Sequence, residues 1–174
     1  MKLPPLRRRG FVVWAWLLIV VMIGSLVFGL RLLNRRLTDT RQCREQLLRI
    51  YSAFELYEFS EGRLPDLDFY PNSPLTGSQS IVTALAKYGL HPSDCVCPAG
   101  GHSLREAGLS YLWNPRLSGR PLGSFRQPEW MLVEIQAMNP KLAPPHLGHY
   151  HILYTDGAVR SELSIPHDIP VRPR

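Results

Sequence analysis

The chain has 174 residues, with 20 Lys plus Arg against 14 Asp plus Glu and a formal charge of +6. The excess sits at one end: seven of the bases precede residue 37 and all 14 acids follow it, so residues 37–174 carry 13 bases against 14 acids. A folded part without a positive surplus makes nucleic acid an unexpected partner. The length beyond residue 36 suffices for one modest domain with its own core.

Residues 1–10 are a basic leader carrying Lys2, Arg7, Arg8 and Arg9. Phe11 to Leu30 then runs 20 residues without a charge. A helix of that length spans about 30 Å, the thickness of a bilayer's hydrocarbon core. The expected transmembrane helix covers 11–33. With positives before it and the first acid at Asp39, the positive-inside rule predicts a cytoplasmic N-terminus. The expected location is the cytoplasmic (inner) membrane, single-pass, with a periplasmic C-terminal domain. A cleaved secretory signal has a shorter apolar core and a small-residue cut site. The exit Leu30-Arg31-Leu32-Leu33-Asn34-Arg35-Arg36 lacks such a site, so the helix reads as a retained anchor.

Residues 34–61 read as an amphipathic continuation. Thr38 or Asp39 can cap a separate helix, or the helix can run through. Leu47, Ile50, Tyr51, Phe54 and Tyr57 fall on one helical stripe, with Arg44, Glu45, Arg49, Glu55 and Glu58 on the wet face. Gly62 ends the helix and Pro65 prevents a restart. The expected element is one rod from about Phe11 to about Glu61.

Residues 62–164 form the expected head. Residues 66–79 read as loop, with Asp66 and Asp68 exposed in it. Ser80 caps a short helix through Ile81, Leu85 and Tyr88, ended by Gly89. Residues 91–108 read as loop. Strands are expected from Leu109 to Trp113 and from Trp130 to Gln136, separated by a basic loop. Tyr150–Tyr154 and Ala158–Leu163 make a hairpin about Asp156-Gly157, read as a two-residue primed turn in which both residues take positive φ. Residues 165–174, with three prolines, read as a loose tail. The fold class expected is α+β: a long N-terminal helix packed on a small antiparallel sheet of three or four strands.

Three cysteines, Cys43, Cys95 and Cys97, permit a disulfide in an exported domain. Cys43 can pair with Cys95 or with Cys97, and three unpaired thiols are the alternative. Cys95-Val96-Cys97 is too close for a CxxC redox motif, and no second pair completes a structural zinc site. His149 and His151 share one face of a strand, and with Asp156 offer a nitrogen and oxygen donor set for a transition metal. The simpler reading makes Asp156 a turn residue and the histidines an edge. Calcium takes six to eight oxygens, and Glu129, Glu134 and Asp156 are few for it. Cys97 with His102 or His146 is a chance thiol–base pair. No nucleophile elbow, HExxH or phosphate-binding glycine loop occurs, so no enzyme is expected and no cofactor is assigned.

Four features in order carry a resemblance. Arg7-Arg8-Arg9-Gly10-Phe11 opening an apolar helix resembles the processing site of type IV prepilins and pseudopilins. Cys43-Arg-Glu-Gln-Leu47, with the following Leu and Tyr repeat and Gly62-Arg63-Leu64-Pro65, is similar to a stretch in a prepilin-type-processing-associated family. That family also has a Cys-Pro, matched by Cys97-Pro98, and ends in His, nine residues, Asp-Gly, matched by His146, Asp156 and Gly157. The resemblance implies a pilin-like fold and cleavage by a prepilin peptidase between Gly10 and Phe11. It implies a minor subunit of a type II secretion or type IV pilus-like assembly, joined to other pilin-like subunits through its N-terminal helix. Some pseudopilins of type II secretion bind calcium in the loop region of the sheet. Ala15 departs from the family, which carries a glutamate there, and Phe-Val-Val-Trp-Ala replaces its usual opening. The alternative is a non-assembling, membrane-tethered binding module that presents the loop 114–129.

Overall fold

A computed structural model describes residues 8–139, 142–167 and 169. Most of the basic leader, including Lys2 and Arg7, lies outside the described residues, as do 168 and 170–174 of the tail. The chain divides into two compact units, Met1–Leu37 and Thr38–Arg174.

One helix, α1, runs Arg8–Glu61 without a break, so neither Thr38 nor Asp39 starts a second helix. Among the described residues it is the one helix long and apolar enough to cross a membrane. In the first unit its large apolar side chains from Trp14 to Leu33 are exposed. The Ser25 hydroxyl donates to the Val21 carbonyl at 2.8 Å, which satisfies a polar group inside the apolar stretch.

The second unit is the α+β head. Cys43, Leu47, Ile50, Ala53 and Phe54 of α1 are buried, and the Phe54 ring stacks on Trp113 with centroids 5.0 Å apart. Tyr51 and Tyr57 are half-buried against the same core. Glu58, expected to be wet, is half-buried: its carboxylate accepts the Leu122 N–H at 2.6 Å, which holds the loop 114–129 on the helix. Gly62 closes α1 at φ +73°, donating its N–H to the Glu58 carbonyl at 2.7 Å.

Ser80 accepts the Val82 N–H and starts α2, Ile81–Leu85. A 3₁₀ turn carries on to Tyr88, and Gly89 ends it at φ +86°. The stretch 91–108, expected to be loop, contains 3₁₀ turns at Pro92–Cys95 and Pro98–Gly100 and a helix α3, His102–Ala107. Proline at the first position of each 3₁₀ turn presets φ and needs no N–H partner there.

Four strands, β1 Tyr111–Trp113, β2 Trp130–Glu134, β3 Tyr150–Tyr154 and β4 Val159–Glu162, form an antiparallel meander in the order β1-β2-β3-β4. β2 is shorter than expected because Ile135–Met138 turns into a 3₁₀ helix. Tyr111, Trp113, Leu132, Leu153 and Val159 join the core under α1. Leu112, Trp130, Val133, Tyr150 and Ile152 form a second cluster. Both sheet faces are therefore covered, and all five residues of β2 are buried. A register shift between Trp130 and Leu132 explains why Trp130 and Leu132, two apart, belong to different clusters.

Two turn expectations change. The β3–β4 loop has three residues: Gly157 N–H donates to Tyr154 O and Tyr154 N–H to Ala158 O, both at 3.0 Å. Only Gly157 has positive φ, +77°, and Asp156 does not. Thr155 is fixed by Glu129, exchanging backbone and hydroxyl bonds with it, which favours the wider loop. Within the expected loose tail, Ile169 is buried in the second cluster and Ile165 packs on it.

Candidate functional site

The ionisable groups buried under α1 come together where β2 ends and β3 begins. The ladder pairs Leu132 with Leu153 and Val133 with Ile152, so Glu134 and His151 are next in register and share the α1-facing side. Both Glu134 oxygens accept the His151 N–H, at 3.1 and 2.8 Å. Oε1 also lies 2.9 Å from His146 Nε2. The His146 and His151 rings stack, centroids 3.9 Å apart and planes within 9°.

His146 is delivered by a tight turn. His146 and His149 exchange backbone bonds at 3.2 and 3.1 Å, and between them Leu147 has φ +53° and Gly148 φ +89°. Two positive-φ residues between an exchanging pair make a type I′ turn, the kind expected at Asp156-Gly157. Leu147 is the only non-glycine with positive φ among the described residues. Holding it there costs about 1–3 kcal/mol, and the buried contacts of His146 offset that.

The third side is covalent. Cys43 and Cys97 form a disulfide with Cα atoms 5.2 Å apart, joining α1 to the segment just after the 3₁₀ turn Pro92–Cys95. Of the two expected pairings the structure takes Cys97; Cys95 is a buried thiol, its pKa pushed up to about 12 by burial and then by Asp94. Closing 54 residues removes unfolded-chain entropy worth about 4 kcal/mol on the loop-closure model. Cys97 N–H donates to Ser110 Oγ at 3.1 Å, and Ser110 N–H donates to Cys95 O at 2.8 Å. Cys97 Sγ lies 3.5 Å from His146 Nε2. The Cys97–His146 proximity is real, but the sulfur is in a disulfide and is no nucleophile in this state.

Burial sets the charges. It raises Glu134 to about 8, against the lowering effect of the His151 N–H bonds. It lowers His146 to about 4, and lowers His151 to about 3 with help from the neighbouring His146. Burial thus favours the neutral form of both Glu134 and His146, and which of the two donates in their 2.9 Å contact follows the His146 tautomer. Nδ1 of both histidines and the Tyr111 hydroxyl are buried without hydrogen-bond partners. Each such group costs about 1–3 kcal/mol.

The donor set of His149, His151 and Asp156 is not assembled. Asp156 lies at the far end of β3, pairing with Arg160 at 2.8 Å and accepting the Ala158 N–H at 3.0 Å. His149 is half-buried and meets His146 through its backbone. The ligand atoms of Glu134, His146 and His151 lie within 4.8 Å of one another instead, as do those of Cys43, Cys97 and His146. His146 and Asp156-Gly157 sit at opposite ends of β3, so their nine-residue spacing is one turn, one strand and the next turn. Gly10 and Phe11 lie inside α1. Sequence reasoning weighed Glu134 only as one of too few acids for calcium and missed its meeting with His146 and His151. Its signal was a carboxylate in phase with Leu132, opposite a histidine in phase with Leu153. Searches against family models, curated proteins and solved structures find no match to this chain.

Proposed function

We propose that this chain is a single-pass subunit of a pseudopilin-like assembly, anchored in the cytoplasmic membrane with its head outside the cytoplasm. The observation that carries this reading is α1 itself. One unbroken helix, Arg8–Glu61, supplies an apolar stretch long enough to span a bilayer and then the central core element of a small head. Leu48, Leu56 and Phe59 on the head's part of α1 remain exposed, Phe59 at 91%. An apolar helix face left open in this way suits packing against another helix. The neighbours in this reading are other pilin-like subunits, and the chain is neither an enzyme nor a nucleic-acid binder.

Ala15 narrows the role. Cleavage between Gly10 and Phe11 creates a positive amine that no carboxylate at position 15 of a neighbour answers, and carrying it into hydrocarbon costs several kcal/mol. The chain then enters an assembly at an end or as a minor subunit. The same Ala15 favours the second reading, a tethered module that does not assemble. Mass spectrometry of the mature N-terminus in cells with an active prepilin peptidase tests the first step. A start at Phe11, with residues 1–10 retained in Gly10→Leu, supports processing; an intact Met1 start overturns it. A photo-crosslinker replacing Leu56 tests the second. Adducts with pilin-like subunits support assembly, and their absence from processed protein leaves the tethered module.

A further inference from the structure

We propose that the reduced protein binds one thiophilic divalent cation of the zinc class through Cys43, Cys97 and His146, with the Glu134 carboxylate as fourth ligand. Two thiolates, an imidazole and a carboxylate are a workable set for such an ion, which sits about 2.3 Å from sulfur, about 2.0–2.1 Å from nitrogen and about 2.0–2.2 Å from oxygen. Tetrahedral geometry then needs donor atoms roughly 3.3–3.8 Å apart. His146 Nε2 lies 3.5 Å from Cys97 Sγ and 2.9 Å from Glu134 Oε1, and the ligand atoms of Cys43, Cys97 and His146 all lie within 4.8 Å of one another. Cys43, Cys97 and His146 form one group of donors, and Glu134 adjoins it through His146 Nε2, so the carboxylate has to swing from that contact toward the sulfurs once they are released from each other.

The donors come from four differently supported places, and none of those supports is the disulfide itself. Cys43 is on α1. The Cys97 backbone is held by Ser110. Glu134 is gripped by the His151 N–H. His146 is set by the turn through Leu147 and Gly148. All four residues are buried, which excludes competing water and leaves two thiols with no solvent if no metal takes them. His146 Nδ1, buried without a partner, is on the ring edge away from the bond to Glu134. His151, stacked on His146, closes the site from the β3 side.

A dithiol reductant gives two electrons and two protons to the Cys43–Cys97 bond and leaves as its own disulfide, through a mixed disulfide. The cation then displaces both thiol protons, and the Glu134 proton where it is present, into solvent. Disulfide and metal are alternative ties between α1 and the loop after Cys95, so redox state chooses which one closes the head.

The full-length chain in detergent micelles is titrated with cobalt(II), oxidised and after reduction by a tertiary phosphine, which leaves as its oxide with oxygen from water. The reduced chain is expected to take one equivalent, with thiolate-to-cobalt charge-transfer absorption and the strong visible bands of a tetrahedral ion, displaced by zinc. The oxidised chain is expected to take none. His146→Gln and Glu134→Gln are expected to weaken binding at least tenfold, and Cys95→Ser to leave it unchanged. A reduced wild-type chain that keeps its circular dichroism but shows no cobalt–thiolate band overturns the proposal. Equal uptake by the oxidised chain, or loss of the band in Cys95→Ser, overturns it as well.

Discussion

Glu134→Gln tests the buried cluster through pH. Folding raises Glu134 from an ordinary carboxyl value to about 8, so the folded state holds a proton that the unfolded chain has released. A raised group stabilises fully below its unfolded value and loses that contribution as pH rises through its folded value. At about 1.4 kcal/mol per pH unit, the loss between pH 6.5 and 8.5 is about 2 kcal/mol. The two histidines act with the opposite sign. His146 and His151 fold to about 4 and about 3, so stability falls as pH drops below 6.5 while the unfolded chain takes up their protons. From pH 6.5 to 5 this removes about 3 kcal/mol, and Glu134 returns about 2 of it. Stability therefore peaks near pH 6.5. Gln keeps an acceptor for the His151 N–H and cannot titrate. The variant should rise by about 1 kcal/mol from pH 6.5 to 8.5, as the two histidines of the unfolded chain lose their protons, and should be steeper on the acid side. Urea titrations of residues 38–174, followed by fluorescence of Trp113 and Trp130, give both limbs. Cys95, raised to about 12, adds its own loss only as pH approaches the ordinary thiol range, and the variant retains that part. A wild-type profile flat within about 0.5 kcal/mol over this interval, or an unchanged slope in the variant, refutes the argument.

Phe54→Ala removes a fully buried ring that stacks on Trp113 and should cost about 3–5 kcal/mol in the same titration; a loss below about 1 would place the stripe elsewhere. Gly157→Val faces both a φ of +77° and a Cβ 2.8 Å from the Tyr51 ring, so the midpoint should drop sharply. Asp156→Asn keeps the Ala158 contact and should shift it by less than about 1 kcal/mol. Leu147→Asn suits the left-handed region and should raise stability by about 0.5–1 kcal/mol, measured as a higher urea midpoint.

The rod was legible because its signal is repeated. Leu47, Ile50 and Phe54 each report the same face, and Gly62 with Pro65 marks the end. The β3–β4 hairpin was legible for the same reason, although Thr155 shifts its turn from two residues to three. The site was legible only in fragments. His146, His151 and Cys43–Cys97 could each be singled out, but their meeting depends on register and on a turn at Leu147-Gly148 that composition does not announce. Glu134 stayed hidden because an acid in a short strand ordinarily faces water; here the second cluster covers the other face and leaves it no wet side. Residues 91–108 hid short helices for a related reason. Their turns are too brief for periodicity and are set by proline, Ser110 and the disulfide.

The Cys43–Cys97 bond also decides how the head bears a load. Tension arriving along α1 from its N-terminal end reaches Cys43 before Leu47, Ile50 or Phe54. There it divides, one path continuing along the helix and the other crossing directly into Cys97. Peeling the helix from its leading edge would mean stretching a covalent bond, so the aromatic and aliphatic contacts behind it are shielded. Residues 44–96 lie inside the closed ring and cannot add length when the chain is pulled from its two ends. Of the 174 residues, only those after Cys97, 77 by subtraction, can pay out on the C-terminal side. Opening the bond would place the helix stripe itself under shear and release the remaining slack at once.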